Sequence, residues 1–445
     1  MISISPCHSP ADRKLFERIP ELLHGQDPSF VPPFPGSVVK HLKPDSLFNR
    51  QDGSITAFIA RRDGAPVGRI AAIRNRSHNQ HWNDRVGFFG FFSCEDDEET
   101  AQLLLAQAAK TLEKLNCDTM RGPYNPSINE ECGVLVEGHD GPPSISMPWN
   151  PSYYADLIQS ASLEVTRTMY AYHLPLHIGI PPTVKRIADR VKNRTKNLTI
   201  RSFDMKRLDE ELRLAHRLYN VTLDRNWGFV PISLDDLLAS ADDLKAFADP
   251  DFLVFAEVDG EAIGFMLTLP NFNEILIRTR GVPHFLRLPY ILWLMKTQRI
   301  RTVRQVVLGV APEHRDHGLV ALLCHDMVLR TQKTADSAEL SWIESNNTQV
   351  IKLIGLMGAT QSRTYAIWNV LKIVFINQLH SISSERIDIK TPRKHDCTHH
   401  QDIKETTIHT KILSYTPKCL RKSAGSPCIP ARPPPSVPFP SLNFT

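Results

Sequence analysis

Leu308-Gly309-Val310-Ala311-Pro312-Glu313-His314-Arg315-Asp316-His317-Gly318-Leu319 joins two kinds of hydropathy pattern, and that junction decides the fold. Gln305 to Val310 is apolar and β-branched, as a buried strand is, whereas Val320 to Leu329 returns to an apolar period near 3.6 residues, as a helix does. The loop between them therefore ends at a helix N-terminus, where unpaired backbone N–H groups and the positive end of the dipole favour phosphate oxygens. Arg315 adds a cation and Gly318 lets the backbone come close, so the segment reads as a site for a pyrophosphate-bearing cofactor.

The residues downstream extend the pattern. Glu339 to Glu344 reads as a strand, Ser345-Asn346-Asn347 follows, a helical run continues through Leu356, and Gly358-Ala359 closes it. Asn347 stands where a helix N-cap would.

The chain also repeats itself. Ala60 to Gly68 parallels Ala256 to Gly264, and Ser162 to Thr168 parallels Gly358 to Thr364, both 196 residues apart (259 − 63 and 363 − 167). Equal offsets at both ends imply two copies of one domain, and each Asp-Gly (Asp63-Gly64, Asp259-Gly260) reads as a hairpin turn. The copies differ where the loop lies. Gly87 to Phe92 of the first leads into Ser93-Cys94-Glu95-Asp96-Asp97-Glu98-Glu99-Thr100, whose carboxylates suit a helix N-terminus but repel a pyrophosphate. The second copy carries an insert, roughly Arg278 to Arg304, and the first a long loop from Gly122 to Asn150, both expected to face a shared cleft.

With Arg315 and Gly318 in place, the loop resembles the acyl-CoA-binding loop of the GCN5-related N-acetyltransferase superfamily, written Arg/Gln-x-x-Gly-x-Gly/Ala; Val320 departs from it where the family has Gly or Ala. Residues 11 to 375 resemble the tandem acetyltransferase-like proteins of bacteria. The resemblance implies an α/β (α+β) fold of two tandem GCN5-related N-acetyltransferase-like domains, each a mixed, curved sheet flanked by helices and split between strands four and five. The expected boundaries are 1–176 for a degenerate copy without the CoA loop, 177–375 for the copy with it, and 376–445 for a disordered, proline-rich tail.

The resemblance further implies an acyl-CoA-dependent N-acyltransferase, with acetyl-CoA as the first candidate co-substrate and the amine of a small or amino-acid-like molecule as acceptor. Leu308, Gly309 and Val310 would pair with the pantetheine arm, and the backbone of Asp316, His317, Gly318, Leu319 and Val320, with Arg315 and Asn347, would hold the phosphates. Many family members carry a proton-donating Tyr four residues before the closing Gly; here that position is Ile354. Tyr365, Glu344 and Glu257 are the substitutes for proton transfer. Asn226 and Trp227 border the expected acceptor site, although a Trp beside Gly equally anchors a packed loop. The absent Tyr leaves a non-catalytic CoA-binding protein as an alternative; a tRNA-dependent aminoacyl transferase of the peptidoglycan-bridge type is a third, disfavoured by the acidic helix start of the first copy.

Composition bounds these readings. A net charge of +4 on 445 residues gives no expectation of nucleic acid, and no apolar run approaches the roughly 20 residues of a bilayer span. Cys7, Cys94, Cys117, Cys132 and Cys324 have no C-x-x-C spacing, so neither a metal nor a disulfide framework is expected, and His395, Cys397, His399 and His400 have no ordered scaffold. Reduced thiols and a start unlike a secretory signal give a cytoplasmic expectation. Pro289 to Arg301 is amphipathic and basic, suited to packing on its own sheet, to lining an acyl channel or to touching a membrane surface.

Overall fold

The computed structural model describes residues 1–51, 53–239 and 249–371. The tail expected from 376 onward lies outside them, as do His395, Cys397, His399 and His400. All the described residues fall in one unit, Met1–Ile389.

Chain order shows the repeat element by element. The first half runs β1 (Ile2–Pro6), α1 (Pro10–His24), β2 (Gly53–Arg62), β3 (Ala65–Asn75), β4 (Val86–Cys94), α2 (Glu98–Lys114), β5 (Thr119–Gly122), the short strands β6 (Tyr124–Asn125), β7 (Glu131–Cys132) and β8 (Val134–Glu137), and β9 (Glu164–Pro175). The second runs α3 (Pro182–Arg194), β10 (Leu198–Ser202), α4 (Leu208–Leu223), β11 (Leu253–Val258), β12 (Glu261–Pro270), α5 (His284–Thr297), β13 (Thr302–Val310), α6 (Leu319–Thr331), β14 (Ser337–Glu344), α7 (Thr348–Leu356) and β15 (Thr360–Leu371). Shorter helical turns are left unnumbered. The offset of 196 recurs in the first strands (198 − 2) and the last (360 − 164). Both Asp-Gly hairpins form as expected, with positive φ at Asp63, Gly64, Asp259 and Gly260, the geometry that matches strand twist in a two-residue turn.

What the periodicity did not specify is the partner of each last strand. The main sheet runs β1-β2-β3-β4-β5-β15-β9-β14-β13-β12-β11-β10, with β8 also on β15. β15, from the second half, pairs antiparallel with β5 from Trp368↔Gly122 to Leu371↔Thr119, while β9, from the first, pairs antiparallel with β14 from Ser337↔Pro175 to Glu344↔Met169. The two exchanged strands pair with each other from Thr360↔His173 to Asn369↔Glu164. The two expected sheets are thus fused into one sheet of thirteen strands. The expected boundary at 176/177 falls between β9 and α3, but each half gives its closing strand to the other.

Helices cover both faces. α2 buries Ala101, Leu104, Leu105 and Ala108 against the first half, and α6 with α3 buries Leu322, Leu323, Val184 and Ala188 against the second. On another face Tyr365 and Ile367 of β15 share a core with Phe88, Tyr124 and Leu135 of the first half. No described helix is long and apolar enough to cross a membrane.

Because each half lacks its own closing strand, residues 1–176 and 177–375 expressed separately should not reach the native fold: β5 and β14 would each expose an unpaired edge. Far-ultraviolet circular dichroism and thermal melts should show no cooperative transition for either fragment, and co-expression should restore one. Two independently cooperative fragments would refute the mutual dependence.

Candidate active site

The parallel ladder between β13 and β14 is short. It runs from Thr302↔Ser337 to Gln305↔Leu340 and stops, while β13 stays paired to β12 as far as Val310↔Gly264. A bulge in β13 opposite Leu267/Thr268 falls where the ladder ends. Beyond it, the β13 edge through Leu308, Gly309 and Val310 faces an open fork rather than a strand.

The loop at the end of β13 is a 3-10 turn, Pro312–His317, followed by Gly318 in the left-handed region (φ +74) as N-cap of α6. No side chain caps α6, and Ala321 N and Leu322 N bond to Gly318 O, so the amides of Leu319 and Val320 are the ones left for another acceptor. A side chain at Gly318 would be strained by its φ and would press on Ile187 and Val191 of α3. Arg315 braces this loop: Nε donates to Val310 O (3.2 Å) and Nη2 to Thr222 O (2.8 Å), tying it to β13 and α4. The backbone of Asp316 and His317 lies in the turn. Beneath α6 and α7 is an apolar hollow of about 500 Å³, open mouth included, lined by Gln305, Leu308, Val320, Cys324, Leu340 and Ile354 among others. Val320, the departure from the family pattern, is part of this lining. Asn347 is the N-cap of α7, its Oδ1 accepting from Val350 N at 3.3 Å.

The corresponding fork of the first half is closed by the chain itself. β4 and β5 pair only from Val86↔Thr119 to Phe88↔Arg121. Tyr124 and Asn125 then enter the gap: Phe91 N donates to Asn125 Oδ1 at 2.5 Å, and a Cβ on Gly90 would lie 1.6 Å from Tyr124 O, so only glycine permits the approach. The α2 N-terminus is capped by the Asp97 carboxylate, which accepts from Thr100 N at 2.8 Å. Arg62 pairs with Glu95 and Asp97. The acidic segment therefore serves its own helix, as expected. An open fork with an uncapped helix fits an elongated ligand ending in a pyrophosphate; a filled fork with a carboxylate cap does not.

The predicted acid–base residues are dispersed. Glu257 forms an ion pair with Arg201 (2.8 Å), which also holds Glu211 (2.7 Å), on a strand separated from β14 by β12 and β13. Tyr365 is fully buried in the shared core, where burial pushes its hydroxyl up. Glu344 differs. It ends β14 half-buried, and burial pushes its carboxyl up against the opposing pull of Arg167 and the Trp227 N–H.

Around Glu344 stands a cluster that sequence reasoning found only in part. The guanidinium groups of Arg121 (4.9 Å to the ring centroid) and Arg167 (4.7 Å) both stand over the Trp227 indole. Its loop is pinned by Trp82 Nε1 on Phe229 O (2.9 Å) and Asn129 Nδ2 on Val230 O (3.1 Å). Trp227 is thus a packed anchor, and Asn226 beside it is exposed. Arg121 Nε, Arg167 Nε and Tyr124 Oη are buried with no hydrogen-bond partner among the described residues. Nothing in the separate patterns of β5, β9 and the 122–150 loop signalled that these residues meet; the meeting follows from the strand exchange. The long loop also meets the chain just before the insert and at its end: Asn273 Nδ2 donates to Pro143 O (3.0 Å), Ile145 N donates to Asn271 Oδ1 (2.9 Å) and Arg304 Nη1 donates to Ile145 O (3.0 Å). No group of three or more potential metal ligands occurs among the described residues.

No family model matches the chain. It is 29% identical over 378 residues to a protein of Caulobacter vibrioides (strain NA1000 / CB15N) named Bacterial ceramide synthase, across 82% of this chain and 97% of that one. It is 28% identical over 365 residues to Protein YghO of Escherichia coli (strain K12), across 80% and 92%. Among solved structures, the GCN5-related glucosamine N-acetyltransferase region of a fungal multi-domain GH3 beta-N-acetylglucosaminidase superposes with a TM-score of 0.51 at 14% identity, over 83% of this chain and 38% of that one. The chain has the GCN5-related N-acetyltransferase fold.

Trp227→Ala should remove the ring over which two guanidinium groups stand and cost about 2–4 kcal/mol of stability, whereas Trp227→Phe should recover most of it. Thermal melts of both variants would decide it; an unchanged midpoint for Trp227→Ala would contradict the anchoring role.

Proposed function

We propose that the protein is an acyl-CoA-dependent N-acyltransferase that uses only its second fork. The observation carrying this reading is the contrast between the forks: that of β13 and β14 is open with an uncapped helix at its end, and that of β4 and β5 is filled by Tyr124 and Asn125. Leu308 to Val310 are assigned to the pantetheine arm, and the amides of the Asp316 to Val320 turn to the pyrophosphate, with Arg315 holding the turn in shape. Asn347 is assigned to capping α7 beside that site. The bound acyl-CoA supplies a thioester carbonyl, on which the C–N bond of the product forms as the C–S bond breaks.

Glu344 is assigned the proton of the attacking amine, since it is the last residue of β14, half-buried and close to Arg167, whose Nε has no hydrogen-bond partner among the described residues. Arg121 and Arg167 are assigned to polar groups of the acceptor, with Trp227 holding both guanidinium groups in place. Tyr365 keeps a packing role and Glu257 an ion-pairing one. The name of the Caulobacter relative supports an amphiphilic amine as acceptor and a long-chain acyl-CoA as donor, with acetyl-CoA the simpler alternative.

Titration calorimetry with acetyl-CoA and with a long-chain acyl-CoA should give one site per chain, and Arg315→Glu should weaken binding by roughly 1–3 kcal/mol. Two equivalent sites, or unaltered affinity, would overturn the assignment of the fork.

Glu344→Gln should lower kcat by roughly 10²- to 10⁴-fold and abolish the acid limb of the pH profile, which in the wild type should lie above the ordinary glutamate range. The sign for stability is opposite to that of a salt-bridged carboxylate. A raised folded-state pKa favours the protonated form, so this contribution is present at low pH and is lost as pH rises through the raised value. Glu344→Gln should therefore be no less stable than wild type at about pH 8. A variant that loses stability there while keeping its acid limb would assign Glu344 a structural role.

A further inference from the structure

Helix α5 is apolar on the side that packs and on the side that does not. Arg287, Ile291 and Leu294 recur at i, i+4 and i+7 and are buried. Ile291 and Leu294 join a small cluster with Ile275, and Arg287 reaches α1 of the first half, where Nη1 donates to Glu21 Oε2 at 2.9 Å. That face is fixed. Phe285, Leu286, Leu288, Pro289, Leu292 and Trp293 are all exposed, Phe285 by 81% and Trp293 by 54%. At 100° per residue these six fill one arc of about 160° opposite the packed face. Five of the thirteen large apolar side chains exposed among the described residues lie on this one helix, so the patch is a concentration and not background.

A helix apolar all round belongs in a core or in lipid. Fourteen residues rise only about 21 Å, short of a bilayer core of roughly 30 Å, so α5 suits a position in the plane of an interface and not across it. Carboxylates from neighbouring elements pair with Arg287 (Glu21) and Arg301 (Asp336), but α5 and its flanks contribute charge of one sign. From Ile275 to Pro312 the chain contains no Asp or Glu, while Arg278, Lys296, Arg299 and Arg301 are exposed. Lys296 lies within the apolar arc at its C-terminal end. Tyr290 and Trp293 stack with centroids 5.7 Å apart, forming an amphipathic aromatic pair of the kind that sits at headgroup level. A second copy of the chain is the poorer occupant, because a two-fold contact on this face would set Lys296 and its neighbouring arginines against their own equivalents.

We propose that α5 and its basic flanks form a peripheral docking surface for an anionic lipid leaflet, with the exposed apolar arc in the acyl boundary and the cations on lipid phosphates. The inference goes beyond the acyl-transfer reading and does not depend on it, since docking is measured without donor or acceptor.

The test is co-sedimentation of the full chain with phosphatidylcholine vesicles and with vesicles containing about one-third phosphatidylglycerol, alongside the mass in solution from light scattering. The expected result is binding to the phosphatidylglycerol vesicles, weakened at least roughly tenfold in pure phosphatidylcholine or in about 1 M salt. Leu292→Ser/Trp293→Ser, with an unchanged melting temperature, should lower partitioning at least roughly tenfold, and Lys296→Glu roughly fivefold or more. Absence of binding to either vesicle, equal binding by the variants, or a dimer that the double substitution converts to monomer would overturn the proposal.

Discussion

The antiparallel pairing of β9 with β15 is the interaction on which the rest of the structure depends. These two twelve-residue strands occupy the centre of the sheet, and their ladders join the two halves. The exchange seats β15 beside β5 and β9 beside β14, which brings Arg121 of β5, Arg167 of β9 and Glu344 of β14 to one place around Trp227. Neither half could assemble that cluster alone. The exchange also accounts for a core shared by residues as distant in sequence as Phe88 and Tyr365.

A second constraint is the asymmetry of two equivalent strand ends. β4 and β13 both leave their parallel partner after a few residues, and a helix follows each. In the first half the N-cap is Asp97, a side chain that satisfies the helix and fills its N-terminus with negative charge. In the second it is Gly318, which contributes no side chain and leaves the amides to another acceptor. One cap residue in each copy decides where an anion is welcome.

Much of this was legible in the sequence. The 196-residue offset, the two Asp-Gly turns, the strand through Gln305 to Val310, the helix after Gly318 and the carboxylate-rich start of α2 all follow from local rules of period, turn chemistry and capping, although that strand begins three residues earlier, at Thr302, inside the expected insert. The strand exchange was not legible, because β9 and β15 carry the same alternation whichever fifth strand they join; pairing is a global choice with no local signature. The site was correspondingly half visible. Arg315 and Asn347 stood out by spacing, and their hydrogen bonds show brace and cap geometry. Arg121 and Arg167 could not stand out, being ordinary strand arginines until the sheet order brings them over one indole. Glu257 was singled out as a carboxylate on the second strand, but its partner Arg201 lies on β10, a pairing that only the register reveals.

The plugged fork has a further meaning. Phe91 stands three residues before the end of β4, on the edge that β5 has left. At this position the chain already displays a carboxamide seated against a strand edge, the Asn125 oxygen receiving the Phe91 N–H. In the first half the protein's own amide thus occupies a strand edge of the kind that the proposed acyl-CoA arm would take in the second. A chemist designing a blocker for the open fork could begin from that asparagine, copying its reach and orientation, before any liganded structure is in hand.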